Sequence, residues 1–118
     1  MSISLLVSEL LNYQIVFKIY HWQTKSYARH QAADKLVDYL QDFTDSVVEY
    51  YQGRNQKCIM FPKDCIKIRN VSEEDASEWL MSCITIINNY TPDSADLENK
   101  RTEILGFLHK IAYLFMLQ

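Results

Sequence analysis

His30, Asp34, Asp38, Asp42, Asp45 and Glu49 recur along one stretch of the chain at spacings that suit a single helix face. At roughly 100° per residue they span only about 120° of the helix wheel. Imidazole and carboxylate groups are ligands for divalent first-row cations, so the chemistry this face could do is cation binding. From His30 to Glu49 inclusive stand five acids and one lysine, Lys35. Such crowding of like charge is destabilising unless solvent screens it or a cation neutralises it. Taken alone, a charged stripe opposite an apolar one reads as a solvated face, and that reading stays open here.

Spacing sharpens the alternative. His30 and Asp34 are four residues apart, as are Asp45 and Glu49, so each pair can reach one cation from adjacent turns. Asp34 and Asp45 are separated by roughly 16 Å along the axis at the rise of an α-helix. Metal–ligand bonds of roughly 2.0–2.2 Å cannot span that gap, so within one chain the two pairs cannot form one centre. Two copies of the helix, antiparallel across a two-fold axis, would set His30 and Asp34 of one against Asp45 and Glu49 of the other. Symmetry then makes two sites per dimer. An intrachain di-iron site would instead need Glu-x-x-His on each of two helices, and the sequence contains no Glu-x-x-His.

The face belongs to the second of four predicted helices. The first runs over about Ser4–Trp22, where Leu5, Leu6, Glu9, Leu10, Tyr13, Val16, Phe17 and Tyr20 recur at helical spacing. After the polar stretch Gln23 to Ser26, the second runs over about Tyr27–Gln52. Its apolar stripe is Leu36, Leu40, Phe43, Val47 and Tyr50 or Tyr51, and Gly53 reads as its stop signal. The third starts after Ser72, an N-cap followed by Glu73, Glu74 and Asp75, and ends near Tyr90 because Thr91-Pro92 cannot continue it. Asp93 or Ser94 caps the fourth, which buries Leu97, Ile104, Leu105, Leu108, Ile111, Ala112 and Phe115. Arg54 to Val71, with Pro62 and the short apolar piece Cys58 to Phe61, is a connection of the length that crosses a molecule. Short link, long link, short link predicts an all-α, up-down four-helix bundle with a long crossover between helices two and three, the ferritin-like connectivity, in one domain spanning residues 1–118.

Composition agrees. In 118 residues there are two glycines and two prolines, too few for the turns of an all-β fold, and 48% hydrophobic residues, enough for a core. The net charge of −3 argues against nucleic acid as a partner recognised through overall charge. No apolar run reaches the ~18 residues of a membrane span, so no membrane partner is expected. Met1 to Leu11 has neither a basic start nor a small-residue cleavage site, so no signal peptide is expected. Cys58, Cys65 and Cys83 are odd in number and at no metal-ligand spacing; they read as reduced thiols, which points to the cytoplasm. His109 stands alone on the fourth helix and is expected to be structural, while the eight tyrosines read as amphipathic packing.

His21-Trp22, followed by His30, Asp34, Asp45 and Glu49, resembles the ferroxidase site of the Dps proteins, the mini-ferritins of starved cells. In that family a His-Trp ends the first helix, and a second His begins the next with an Asp four residues on. An Asp and a Glu fifteen and nineteen residues past that His complete the site from the neighbouring subunit. The offsets 30 to 34, 30 to 45 and 30 to 49 meet that pattern. Tyr20 to Asp34, YHWQTKSYARHQAAD, is also similar to short proteins of large DNA viruses and phages, which adds the virion to the cytoplasm as an expected location. The resemblance is specific over residues 20–53 and topological elsewhere.

What it implies is an iron-binding protein that oxidises Fe(II) to Fe(III) with peroxide or dioxygen. His21, His30 and Asp34 of one copy, with Asp45 and Glu49 of another, would be both the metal ligands and the catalytic residues. Trp22 would take up oxidising equivalents beside them. The assembly implied is a homo-oligomer, at least a two-fold dimer, with a dodecameric shell as the family's larger form. Two other readings use the same residues: a zinc-stabilised interface, since zinc favours closed four-ligand sites, and a metal-free helical interaction protein, virion-associated in the viral case.

Overall fold

Each helix begins at a serine. The Oγ of Ser2, Ser26, Ser72 and Ser94 accepts a hydrogen bond from the backbone N–H three residues on, at 3.2, 3.2, 3.0 and 3.1 Å. This satisfies one of the four N–H groups that a helix leaves without an internal partner. At Ser72 the cap is reciprocal, because the Asp75 carboxylate accepts from the Ser72 N–H at 3.3 Å. The computed structural model describes residues 1–62 and 66–117. Its helices are α1 (Ile3–Gln23), α2 (Tyr27–Asn55), α3 (Glu73–Asn89) and α4 (Ala95–Met116), and no strand occurs among the described residues.

The four helices close a ring. α1 packs on α2 and on α3, α4 packs on α2 and on α3, and the diagonal pairs stand further apart, meeting through Arg29–Glu73 and Tyr20–Phe115. Between the facing stripes lies one core whose fully buried members include Leu10, Val16, Phe17, Leu36, Leu40, Val47, Ile87, Leu108 and Ile111. The predicted stripes of α2 and α4 fall where expected, with Leu36, Leu40, Phe43 and Val47 buried and Tyr50, Leu105 and Ala112 packed on the core's edge. On α1, Leu5 was expected in the stripe but is 49% exposed, while Val7 and Ile19 are buried.

The end of α2 corrects the sequence reading. Gly53 does not stop the helix, which runs two residues further to Asn55. The left-handed residue is Gln56 (φ 54°), whose amide donates back to the Gly53 carbonyl at 2.5 Å. The crossover then returns along the length of the bundle to its other end. There the Gln23 side chain at the close of α1 accepts from the Val71 N–H at 2.8 Å and donates to Asn70 Oδ1 at 2.9 Å. Thr24 Oγ1 donates to Glu73 Oε2 at 3.1 Å. At the opposite end Arg54 meets Asp93 at 2.7 Å. The order is therefore up, down, down, up: a four-helix bundle with a long crossover between α2 and α3. Among the described residues no helix is long and apolar enough to cross a membrane.

Candidate metal centre

The α1–α2 turn is short, so the last turn of α1 faces the first turn of α2. Two cross-helix pairs form there, one on the outside of the bundle and one on the inside. Outside, His21 and His30 stack, with ring centroids 3.8 Å apart and planes 14° from parallel. Each ring bonds to the other's backbone: His21 Nδ1 lies 2.7 Å from the His30 carbonyl oxygen, and His30 Nδ1 lies 2.6 Å from that of His21. A carbonyl can only accept, so both Nδ1 atoms carry a proton. In the neutral rings the lone pair is therefore on Nε2 in both cases, which is the usual second-shell arrangement of a metal-binding histidine.

Asp34 stands one turn further along α2. Its Oδ1 is 3.9 Å from His21 Nε2 and 3.6 Å from Lys18 Nζ. Lys18 lies three residues before His21, on the same side of α1, and was not singled out from sequence. Both Lys18 and Asp34 are about half exposed, so their pairing contributes little to stability, but it places a positive charge beside the carboxylate. His21 is the enclosed member, with only 14% of its side chain exposed. The Tyr27 ring lies 6.3 Å from that of His30, its hydroxyl accepting from Gln31 at 2.8 Å.

Asp45 and Glu49 lie further down α2, both exposed, as are Asp38 and Asp42 between the two pairs. Trp22 is 67% exposed at the end of α1. Among the described residues of one chain, no three His, Cys, Asp or Glu side chains come together as a metal-binding group. One copy thus gathers His21, His30 and Asp34 near one another without completing a centre, and it leaves Asp45 and Glu49 apart from them. The stacking adds a constraint. Lone pairs of near-parallel rings lie in parallel planes, so one ion could not sit in both. As arranged, each imidazole would serve its own ion.

Inside, one residue back on each helix, Arg29 reaches Tyr20. Arg29 Nη1 donates to Tyr20 Oη at 2.8 Å and to the Glu73 carbonyl at 3.1 Å. Nη2 donates to the Phe115 carbonyl in the last turn of α4, and the guanidinium lies over the Phe115 ring, 4.7 Å from its centroid. Arg29 is 7% exposed. The sequence held no sign of this, because an arginine in the first turn of a polar-faced helix reads as a surface residue.

Of the cysteines, Cys58 is exposed and Cys83 buried, both free, and burial pushes the Cys83 thiol well up; Cys65 lies outside the described residues. His109, expected to be structural, is exposed on α4 and has no packing role through burial.

The fold and this constellation together define a four-helix bundle with paired histidines at the α1–α2 turn. A family model matches residues 21–115, and the chain belongs to that family, DUF5856, a family of unknown function. The match begins at His21 and takes in His30, Asp34, Asp45 and Glu49. No curated protein and no solved structure matches the chain.

Proposed function

We propose that this protein binds Fe(II) at a site shared between two copies and oxidises it to Fe(III), in the manner of the Dps-like ferroxidases its sequence resembles. The observation that carries the reading is the reciprocal histidine lock. It uses both Nδ1–H groups on backbone carbonyls and frees both Nε2 lone pairs, that of His21 lying 3.9 Å from Asp34 Oδ1. A histidine that only caps a helix end would show the same tautomer, so the weight rests on two such rings standing together with a carboxylate beside one of them.

Symmetry supports the second half. An antiparallel pairing of α2 about a two-fold axis between Tyr39 and Leu40 sets His30 opposite Glu49 of the second copy and Asp34 opposite its Asp45. One axis serves both pairs, because both are centred on the same point of the helix. Each site would then hold two imidazoles and three carboxylates. Hard oxygen donors with imidazole suit Fe(II) and also hold Fe(III). With iron as substrate, two Fe(II) each give up one electron; hydrogen peroxide takes both with two protons and leaves as two waters. His21 and His30 would bind separate ions, Asp34 would lie between them, and Asp45 and Glu49 of the second copy would close the site. Lys18 would yield its place beside Asp34 to the incoming cation. Trp22, exposed and next to His21 in the chain, would take up oxidising equivalents.

The test is anaerobic loading with Fe(II), addition of peroxide, and ferric absorbance followed against buffer. Oxidation faster than in buffer, lost in Glu49→Ala and in His30→Ala, is the expected result. Equal rates with and without protein would refute the activity. The same donors would also suit a zinc-bridged structural dimer. Stability that rises with zinc, without any iron oxidation, would select that reading.

A further inference from the structure

The most unusual group outside the metal ligands is the Arg29 guanidinium. Among the described residues it is a buried cation with no carboxylate bonded to it, and its Nε–H has no acceptor. Burying a charge without an opposite charge is costly, and an apolar side chain would fill the same space without that penalty. What the guanidinium does gain is a bond to each of the other three helices: the Tyr20 hydroxyl of α1, the first carbonyl of α3 and a carbonyl in the final turn of α4 that has no helical partner.

The placement of those bonds is informative. Tyr20 directly precedes His21, and Arg29 directly precedes His30. The inner pair and the outer pair therefore span the same two turns in the same register. The reciprocal bonds between His21 and His30 need both rings and both carbonyls at matched height, and a small slide of α1 on α2 would break them. A flexible apolar contact would not fix that slide, whereas a planar fork with directed donors does.

We propose that Arg29 is the positioning residue of the histidine pair, holding α1 and α2 in the register that fixes both rings as Nδ1–H tautomers. This rests on the metal-site reading only for its purpose; the register claim stands on the metal-free chain. Nitrogen-15 NMR of the imidazoles in metal-free protein, above the pH at which both rings are neutral, reads the tautomers directly. In the wild type both rings should be Nδ1–H. In Arg29→Met at least one should revert to the Nε2–H form that a solvated imidazole prefers, and Zn(II) binding, measured by calorimetry, should weaken by about tenfold to a hundredfold. Arg29→Lys should restore part of both. Tyr20→Phe, which removes only the α1 arm, should shift the tautomers in a chain that still folds, and it decides the matter if Arg29→Met does not fold. Leu108→Ala, a core truncation in α4, controls for general loosening and should leave both tautomers unchanged. Retention of Nδ1–H in both rings of a folded Arg29→Met or Tyr20→Phe protein would overturn the proposal, as would an equal shift in Leu108→Ala. Wild-type protein that shows the expected tautomers but binds no zinc would sink the metal reading and leave the positioning role standing.

Discussion

Single residues in this bundle split into those whose role follows from type and spacing and those whose role depends on what another helix brings. The alignment of His30, Asp34, Asp45 and Glu49 on one face, and with it the role proposed for them, is of the first kind, because one helix wheel suffices to give it. The bonding of His21 belongs to the second, since its partner is a carbonyl on the next helix. Arg29 was illegible for the same reason: its acceptors come from α1, α3 and α4. Buried tyrosines carry a prediction at this scale. Burial, with smaller contributions from Cys83 and Glu9, pushes the Tyr13 phenol well above its ordinary range, and burial raises Tyr20 and Tyr90 as well. Above the ordinary tyrosine pKa of about 10 the unfolded chain loses these protons while the folded one keeps them. Stability is therefore full below that pH and falls as pH rises beyond it. Urea midpoints should be flat from neutral pH to about pH 9 and drop above about pH 10, with a shallower drop in Tyr13→Phe. An unchanged slope in that variant would remove Tyr13 from the account.

Helices were the most legible level, and the reason is local chemistry. Ser72 with its acids, the Thr91-Pro92 break and the apolar stripes each act within a few residues, so α3 and α4 begin and end near where the sequence places them. The exit of α2 was misread because glycine offers a stop without enforcing one. Gly53 keeps helical backbone, and the turn passes to Gln56, which tolerates φ 54° with its own side chain bonded back to Gly53. A glycine inside a helix costs backbone entropy. A Cβ at Gly53 or at Gly106 would meet nothing within 4 Å, and neither has positive φ. Gly53→Ala and Gly106→Ala should each stabilise the protein by about 0.4–1 kcal/mol in chemical denaturation. Ser94→Ala should cost about 1 kcal/mol by removing the cap of α4. A destabilised Gly53→Ala protein would mean that α2 does end at the glycine in solution.

At the scale of the molecule, the three carboxylates of the proposed shared site would make assembly and cation binding one problem. Bringing Asp34 against Asp45 and Glu49 of a second copy costs Coulomb energy unless a cation sits among them, and Lys18 supplies only one positive charge. Solution mass should thus shift toward the dimer on adding Mn(II) or Zn(II) and return on chelation. Asp45→Lys should weaken that dependence by bringing its own positive charge. Mass that ignores metal altogether would separate assembly from the site. Sequence could propose the pairing of α2 with itself but not the neighbourhood of Lys18, which becomes visible only once α1 and α2 are in register.

The ring of helices has one more consequence. Neighbours in sequence make two hairpins, α1 with α2 and α3 with α4, and the α1–α3 and α2–α4 seams are the main packing that joins them. Each hairpin exposes half of the core until it meets the other, so neither half should persist alone, and the seams and the Val71–Gln23 bond need no unbroken crossover to form. Cleavage within the crossover should leave two peptides that recombine when mixed, regaining helical circular dichroism at a midpoint that moves with concentration, as a two-piece protein would.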